Sequence, residues 1–240
     1  LRVTGGALKH EKCSWGLLAY WFKDGCKQIH TPRSFHASIS LSNVDGSQIP
    51  IRRVPASEGI TVVGVVQALN GKMKPQVDAL TEKADKWATN IRNGWMNCRL
   101  AWTGLKTMIW PSLAYPLHAC SISYNQGDAI VTKLYQALLP ELGCQKRFPR
   151  LWRFAPTMYQ GLDLPHPSFT QGNDTIRSFQ QAGLSTEICG KLLRTTREQA
   201  QVEIGTSSPV LMKDFDQWGH LMTPDCWIGG LWQFCSESAI

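Results

Sequence analysis

The sequence predicts an α+β fold in which strands come first and helices follow. Three observations carry this. Runs rich in β-branched and apolar residues, broken by turn residues, fill the first 71 positions. From Lys74 onward, apolar residues recur at steps of three and four. The composition, 43% hydrophobic and 18% charged over 240 residues, is that of a chain able to bury a core.

The strand half begins with a nearly unbroken apolar and aromatic run over residues 14–22. Asp24-Gly25 follows, the dipeptide favoured in two-residue hairpin turns, and Cys26 to Ile29 return as the second strand. This hairpin is expected to pack on a larger sheet. Residues 31–48, rich in Ser, Pro, Asn, Asp and Gly, read as a loop, and Gln48 to Val54 as a strand edge. Ile60 to Leu69 reads as a buried strand interrupted by Gly64, and Asn70-Gly71 as a turn.

The helical half starts near Lys74, where Pro75 suits a first turn. Val77, Leu80, Ala84, Trp87 and Ile91 form its apolar stripe, and Asn93-Gly94 ends it. A second helix is expected from Cys98 to Trp110, stopped by Pro111 and Pro116. A third spans about Asp128 to Leu139, with Ile130, Leu134, Ala137 and Leu138 inward. Further helices are expected near Thr175 to Ala182 and Ser185 to Ile204, before an irregular Trp-bearing tail with one short helix. The divisions are thus 1–71, strands; 72–145, a helical bundle; and 146–240, a less regular helical region.

Charge is uneven. Residues 1–160 carry 20 Lys+Arg against 9 Asp+Glu, and residues 161–240 carry 5 against 9. A basic first part suits a polyanion such as nucleic acid, whose phosphates release counterions on binding; the ordinary alternative is a solvated basic surface. The eight Cys form no Cys-x-x-Cys pair, which points to free thiols in a reducing intracellular compartment. The longest apolar run, Trp15 to Phe22, is too short to cross a bilayer, so no membrane partner is expected. The six His are scattered, and no metal site is expected. No P-loop, dinucleotide fingerprint or Gly-x-Ser-x-Gly elbow occurs. Asp214 and Asp216 alternate, and read as surface loop residues.

Several phrases, in order, carry a resemblance. Gly6, Leu8, Lys12 and Cys13 lie in Thr4-Gly5-Gly6-Ala7-Leu8-Lys9-His10-Glu11-Lys12-Cys13, with Lys9 where Asn is usual. Val62-Val63-Gly64-Val65 follows about fifty residues later. Then come Lys83, Lys86 and Trp87 on one helix, Arg99 opening the next, and Tyr115-Pro116 closing it. Phe148-Pro149-Arg150 and Tyr159-Gln160-Gly161-Leu162-Asp163-Leu164-Pro165 come after these, and Gly219-His220-Leu221-Met222-Thr223 with Trp227 near the end. This order resembles the late palm, primer-gripping turn, thumb and post-thumb region of a non-LTR retrotransposon reverse transcriptase.

The resemblance implies that Lys12 contacts the incoming nucleotide's phosphates or the leaving pyrophosphate, as an ammonium is suited to do. It implies that Gly64 and Val65 approach the primer backbone. Lys72, Lys74, Lys83, Lys86, Arg92, Arg99 and Lys106 are then phosphate contacts to an RNA or DNA template–primer duplex. The chain contains no adjacent Asp-Asp pair. The metal carboxylates are therefore expected upstream of Leu1, in a palm and fingers of the same polypeptide. Magnesium is expected only for that intact polymerase, and this chain alone is expected to be an inactive, template–primer-binding fragment. Two alternatives stand beside this reading: a non-catalytic nucleic-acid-binding module, and a structural or protein-interaction domain.

Overall fold

The computed structural model describes residues 13–23, 26–30, 38–42, 46–223 and 226–238, and within these the side chains of residues 20–30 are left aside. The order is strands, then helices, so the α+β expectation holds at that level, with helices making up most of the described chain.

The strands are β1 (Ser14–Trp15), β2 (Ala19–Lys23), β3 (Cys26–His30), β4 (Ser40–Ser42), β5 (Gln48–Pro50), β6 (Arg52–Arg53), β7 (Gly59–Val62) and β8 (Val65–Ala68). Strands β2 and β3 pair antiparallel with Lys23 opposite Cys26, and Asp24-Gly25 themselves lie outside the described residues. Among the described residues this pair joins no larger sheet: the strands make four separate two-stranded pairs, β1 with β6, β2 with β3, β4 with β5 and β7 with β8. Ser40–Ser42 in the expected loop is a strand, paired in register with β5. The single buried strand over Ile60 to Leu69 is instead a hairpin that turns at Val63-Gly64, with Val62 opposite Val65.

Helix α1 (Lys74–Asn93) begins at the predicted residue with Pro75 in its first turn. It buries Leu80, Ala84, Ala88 and Ile91. Helix α2 (Cys98–Gly104) does not stop at Pro111. It widens into a π segment over Leu105–Ile109 and continues as α3 (Trp110–Ala114) and a 3-10 turn, Tyr115–Ala119. The Trp110 N–H reaches back to the Leu105 carbonyl, so the turn is already loosened where the proline ring enters. Leu105, Ile109, Leu113 and Leu117 keep one face of this broken run in the core.

Helix α4 (Tyr124–Glu141) starts four residues before the expected position because Ser123 and Gln126 form a reciprocal capping box. Its stripe, Ile130, Leu134, Ala137 and Leu138, is buried as expected and packs on α1. Asp85 of α1 pairs with Lys133 of α4, and Cys98 Sγ lies 3.7 Å from the Leu142 carbonyl oxygen. The two helices therefore run side by side in the same direction, and the α2–α3 run returns between their ends.

Beyond this bundle come α5 (Arg150–Phe154), α6 (Pro167–Leu184), α7 (Ile188–Ile204), α8 (Phe215–Trp218) and α9 (Trp227–Glu237). Helix α6 starts eight residues earlier than periodicity suggested, because His166 caps it and Pro167 suits its first turn. The tail is more regular than expected: α9 has 11 residues and buries Ile228, Leu231 and Trp232. A second core gathers Leu193, Ala200 and Ile204 of α7 with Val210, Met222, Ile228 and Trp232.

Candidate nucleic-acid interface

The Val63-Gly64 turn has positive φ at both positions, +49° and +81°, the geometry that fits the twist of a two-residue hairpin. Gly64 meets this demand freely, whereas Val63 is β-branched and strained there. The strain is met from a distance. The Tyr115 hydroxyl donates to the Val63 carbonyl oxygen at 3.0 Å. The same ring lies against Gly64, 3.3 Å from where a Cβ would stand. The hairpin tip is therefore pinned to the far end of the α2–α3 run, while the Val63 side chain remains 80% exposed. The other strand is tied to the start of α1, where the buried Gln76 side chain accepts from the Val66 N–H. In the connection between β8 and α1, the Asn70 side chain accepts from the Lys72 N–H.

The proposed phosphate contacts are spread along α1 and its neighbour. Lys72 and Lys74 stand beside the hairpin. Arg92 lies five turns further on, about 27 Å away at 1.5 Å per residue. Arg99 opens α2 at that same distant end, and Lys106 lies midway on the returning run. All seven cations are exposed. They do not share one helix face. Lys83 and Lys86 lie on one flank, which meets α3 through Lys83, while Lys74 and Arg92, eighteen residues apart, lie on another flank with Asp78 and Asp85. Three are also engaged. Lys83 Nζ donates to the Ser112 carbonyl at 2.7 Å, Lys74 is 3.5 Å from Asp78, and Lys106 sits over the Trp102 ring at 5.5 Å. Trp87 is part of the core packing and donates to Ser112 Oγ. Lys12 lies outside the described residues, so its place relative to Gly64 is left aside.

A second arrangement escaped the sequence reading. His166 is buried, stacked on Tyr124 at 4.7 Å and met edge-on by Phe154 at 4.9 Å. Its Nδ1 accepts from the Ser168 N–H at 3.3 Å, which places the remaining proton on Nε2. Nε2 has no hydrogen-bond partner and points toward Asp128 Oδ1, 4.0 Å away. Asp128 is held by Arg150 at 2.8 Å, and Arg150 lies over the Tyr124 ring. Burial pushes the imidazole down to about 4, with Asp128 pulling it up and Arg150 pushing it down. His166-Pro167 directly follows the Leu164-Pro165 phrase, but nothing local in the sequence signals that Tyr124 and Asp128, some forty residues earlier, will enclose it.

Among the described residues no three His, Cys, Asp or Glu side chains gather as a metal-binding group. Asp214 serves the fold, because its side chain caps α8 by accepting from the Asp216 N–H. Cys120 is buried, which pushes its thiol up to about 12, far from a reactive thiolate. No helix of the described residues is long and apolar enough to cross a membrane.

No family model, curated protein or solved structure matches this chain.

Proposed function

We propose that this chain is the duplex-binding part of a reverse-transcriptase-like polymerase, contributing late palm, thumb and post-thumb elements. One observation supports the reading above others. A strained, exposed hairpin tip is held by Tyr115 at one end of a helix pair along which seven cations are exposed. The 20 residues of α1 span about 30 Å, the length of roughly nine base pairs at 3.4 Å each. Cations spaced along such a length contact phosphates without reading sequence. The chain offers no Asp-Asp pair for two metals, so nucleotidyl transfer is assigned to residues outside it.

The test is binding of a 12-base-pair RNA–DNA hybrid by fluorescence anisotropy across a salt series. For four to six phosphate contacts, log K falls against log salt with a slope of roughly −4 to −5. The K72A/K74A/K86A triple variant, which spares the Ser112 anchor at Lys83, reduces the slope by about 2.7. Salt-independent affinity, or no binding at low salt, would end this reading. Primer extension by the purified chain with magnesium or manganese is expected to be nil.

A protein-docking role is favoured instead by a separate feature. Ile188 and Leu192, four residues apart at the start of α7, and Leu184 at the end of α6 are 72%, 61% and 89% exposed. If that face is used, the I188S/L192S variant changes the oligomeric state measured by sedimentation and leaves hybrid binding unchanged.

A further inference from the structure

The end of the bundle away from the hairpin carries an exposed aromatic ring and two cations, Lys146 and Arg147, that the duplex reading does not use. Trp95 sits in the turn between α1 and α2 with 87% of its surface exposed. The next residue, Met96, packs into the main core and fixes the turn beneath it. Four exposed cations share this end. Arg92 closes α1 and Arg99 opens α2. Lys146 and Arg147 follow the end of α4, which the contact of Cys98 Sγ with the Leu142 carbonyl brings alongside. None of the four forms an ion pair among the described residues, and the half-buried Glu141 is the carboxylate closest to them in sequence.

An indole exposed to this degree leaves a large apolar ring in water. Cations before and after it in the chain, Arg92 and Arg99, suit an anionic partner whose repeating charges alternate with flat aromatic groups. Helix C-termini favour cations for their dipole, which accounts for Arg92 alone but not for Lys146 and Arg147 beyond the helix end. A membrane surface demands more apolar area than one indole and the neighbouring Leu100 provide.

We propose that this end binds single-stranded nucleic acid. An unpaired base stacks on Trp95, and Arg92, Arg99, Lys146 and Arg147 hold the phosphates on either side. The site lies about 27 Å from the hairpin along α1, so it engages a strand beyond a duplex end or a free strand equally well. It shares Arg92 and Arg99 with the duplex reading, but Trp95, Lys146 and Arg147 carry it if that reading fails.

The experiment uses the full chain and a fluorescein-labelled 12-nucleotide oligo(dT), with an abasic oligomer of the same length as control, at low salt. Wild-type binds oligo(dT) at least five-fold more tightly than the abasic strand. Trp95→Ala removes that preference, and Trp95→Phe keeps most of it. R99A/R147A weakens both strands alike and lowers the salt slope by about 1.4. Binding of the RNA–DNA hybrid by Trp95→Ala stays unchanged, which separates this site from the duplex surface. Equal affinity of wild-type for the two strands, or no effect of Trp95→Ala, overturns the proposal. So does binding to anionic phosphatidylserine vesicles that is lost in Trp95→Ala while oligo(dT) binding is not. Circular dichroism checks that the variants remain folded.

Discussion

Acid is expected to destabilise this protein through one residue, His166. The imidazole is neutral in its cage, with burial pushing it down to about 4 against an ordinary value of about 6.5. Protonation costs more than desolvation. It converts Nδ1 from acceptor to donor and so removes the bond from the Ser168 N–H that caps α6. The unfolded chain binds this proton below about pH 6.5, while the folded chain resists until about pH 4. Stability from this group is therefore complete above pH 6.5, falls between 6.5 and 4, and changes no further below. One unit of separation is 1.36 kcal/mol, so the full loss is on the order of 3 kcal/mol, and about 2.5 kcal/mol is gone by pH 4.5. The charged groups facing the ring are Asp128 of α4 and Arg150 of α5, which pair with each other and oppose one another at the imidazole. The comparison is wild-type against His166→Asn, which can still cap a helix but does not titrate. Urea unfolding is measured for both at pH 7.5 and 4.5. His166→Asn is less stable at pH 7.5 because the aromatic stacking is lost, but wild-type loses about 2.5 kcal/mol more on acidification. Equal losses in the two proteins would refute the argument. A His166 ring resonance titrating near pH 6.5 by NMR would refute it independently.

Two further sites test the packing. At the hairpin tip, Gly64→Ala places a Cβ 3.3 Å from the Tyr115 ring at a φ of +81°, and is expected to cost about 1–2 kcal/mol in thermal or urea unfolding. Val63→Asn, at the neighbouring φ of +49°, is expected to stabilise by roughly 0.5–1 kcal/mol, because Asn tolerates the left-handed region and the Tyr115 bond is to backbone. Between α6 and α9, Gly172→Ala would set a methyl 2.3 Å from the Phe234 ring, forcing the helices apart at a cost of about 1–3 kcal/mol. Unchanged melting in that variant would mean that the tail packs on α6 more loosely than described.

What was legible in the sequence was local. Asp24-Gly25 in the sequence marked a two-residue hairpin, and the flanking strands do pair with Lys23 opposite Cys26, because the length of such a loop fixes which residues face each other. Lys74-Pro75 and the three-and-four spacing marked α1 and its buried stripe, because an amphipathic helix writes its core face into its own period. The same logic found the stripe of α4. What the sequence left open depended on distant partners. Val63-Gly64 reads as strand until Tyr115, 52 residues later, pins it as a turn. Pro111 reads as a stop, but a π segment held by buried Leu105 and Ile109 carries the helix past it. A string of cations reads as one patch, yet helical rotation places Lys83 and Lys86 on one flank and Lys74 and Arg92 on another. Trp95 was one tryptophan among ten, and its exposure follows from which neighbours fill the core beneath it. His166 was one scattered histidine. Its suppressed basicity arises because Tyr124, Phe154 and Asp128 come from other helices, and the desolvation they impose exists only when those helices pack.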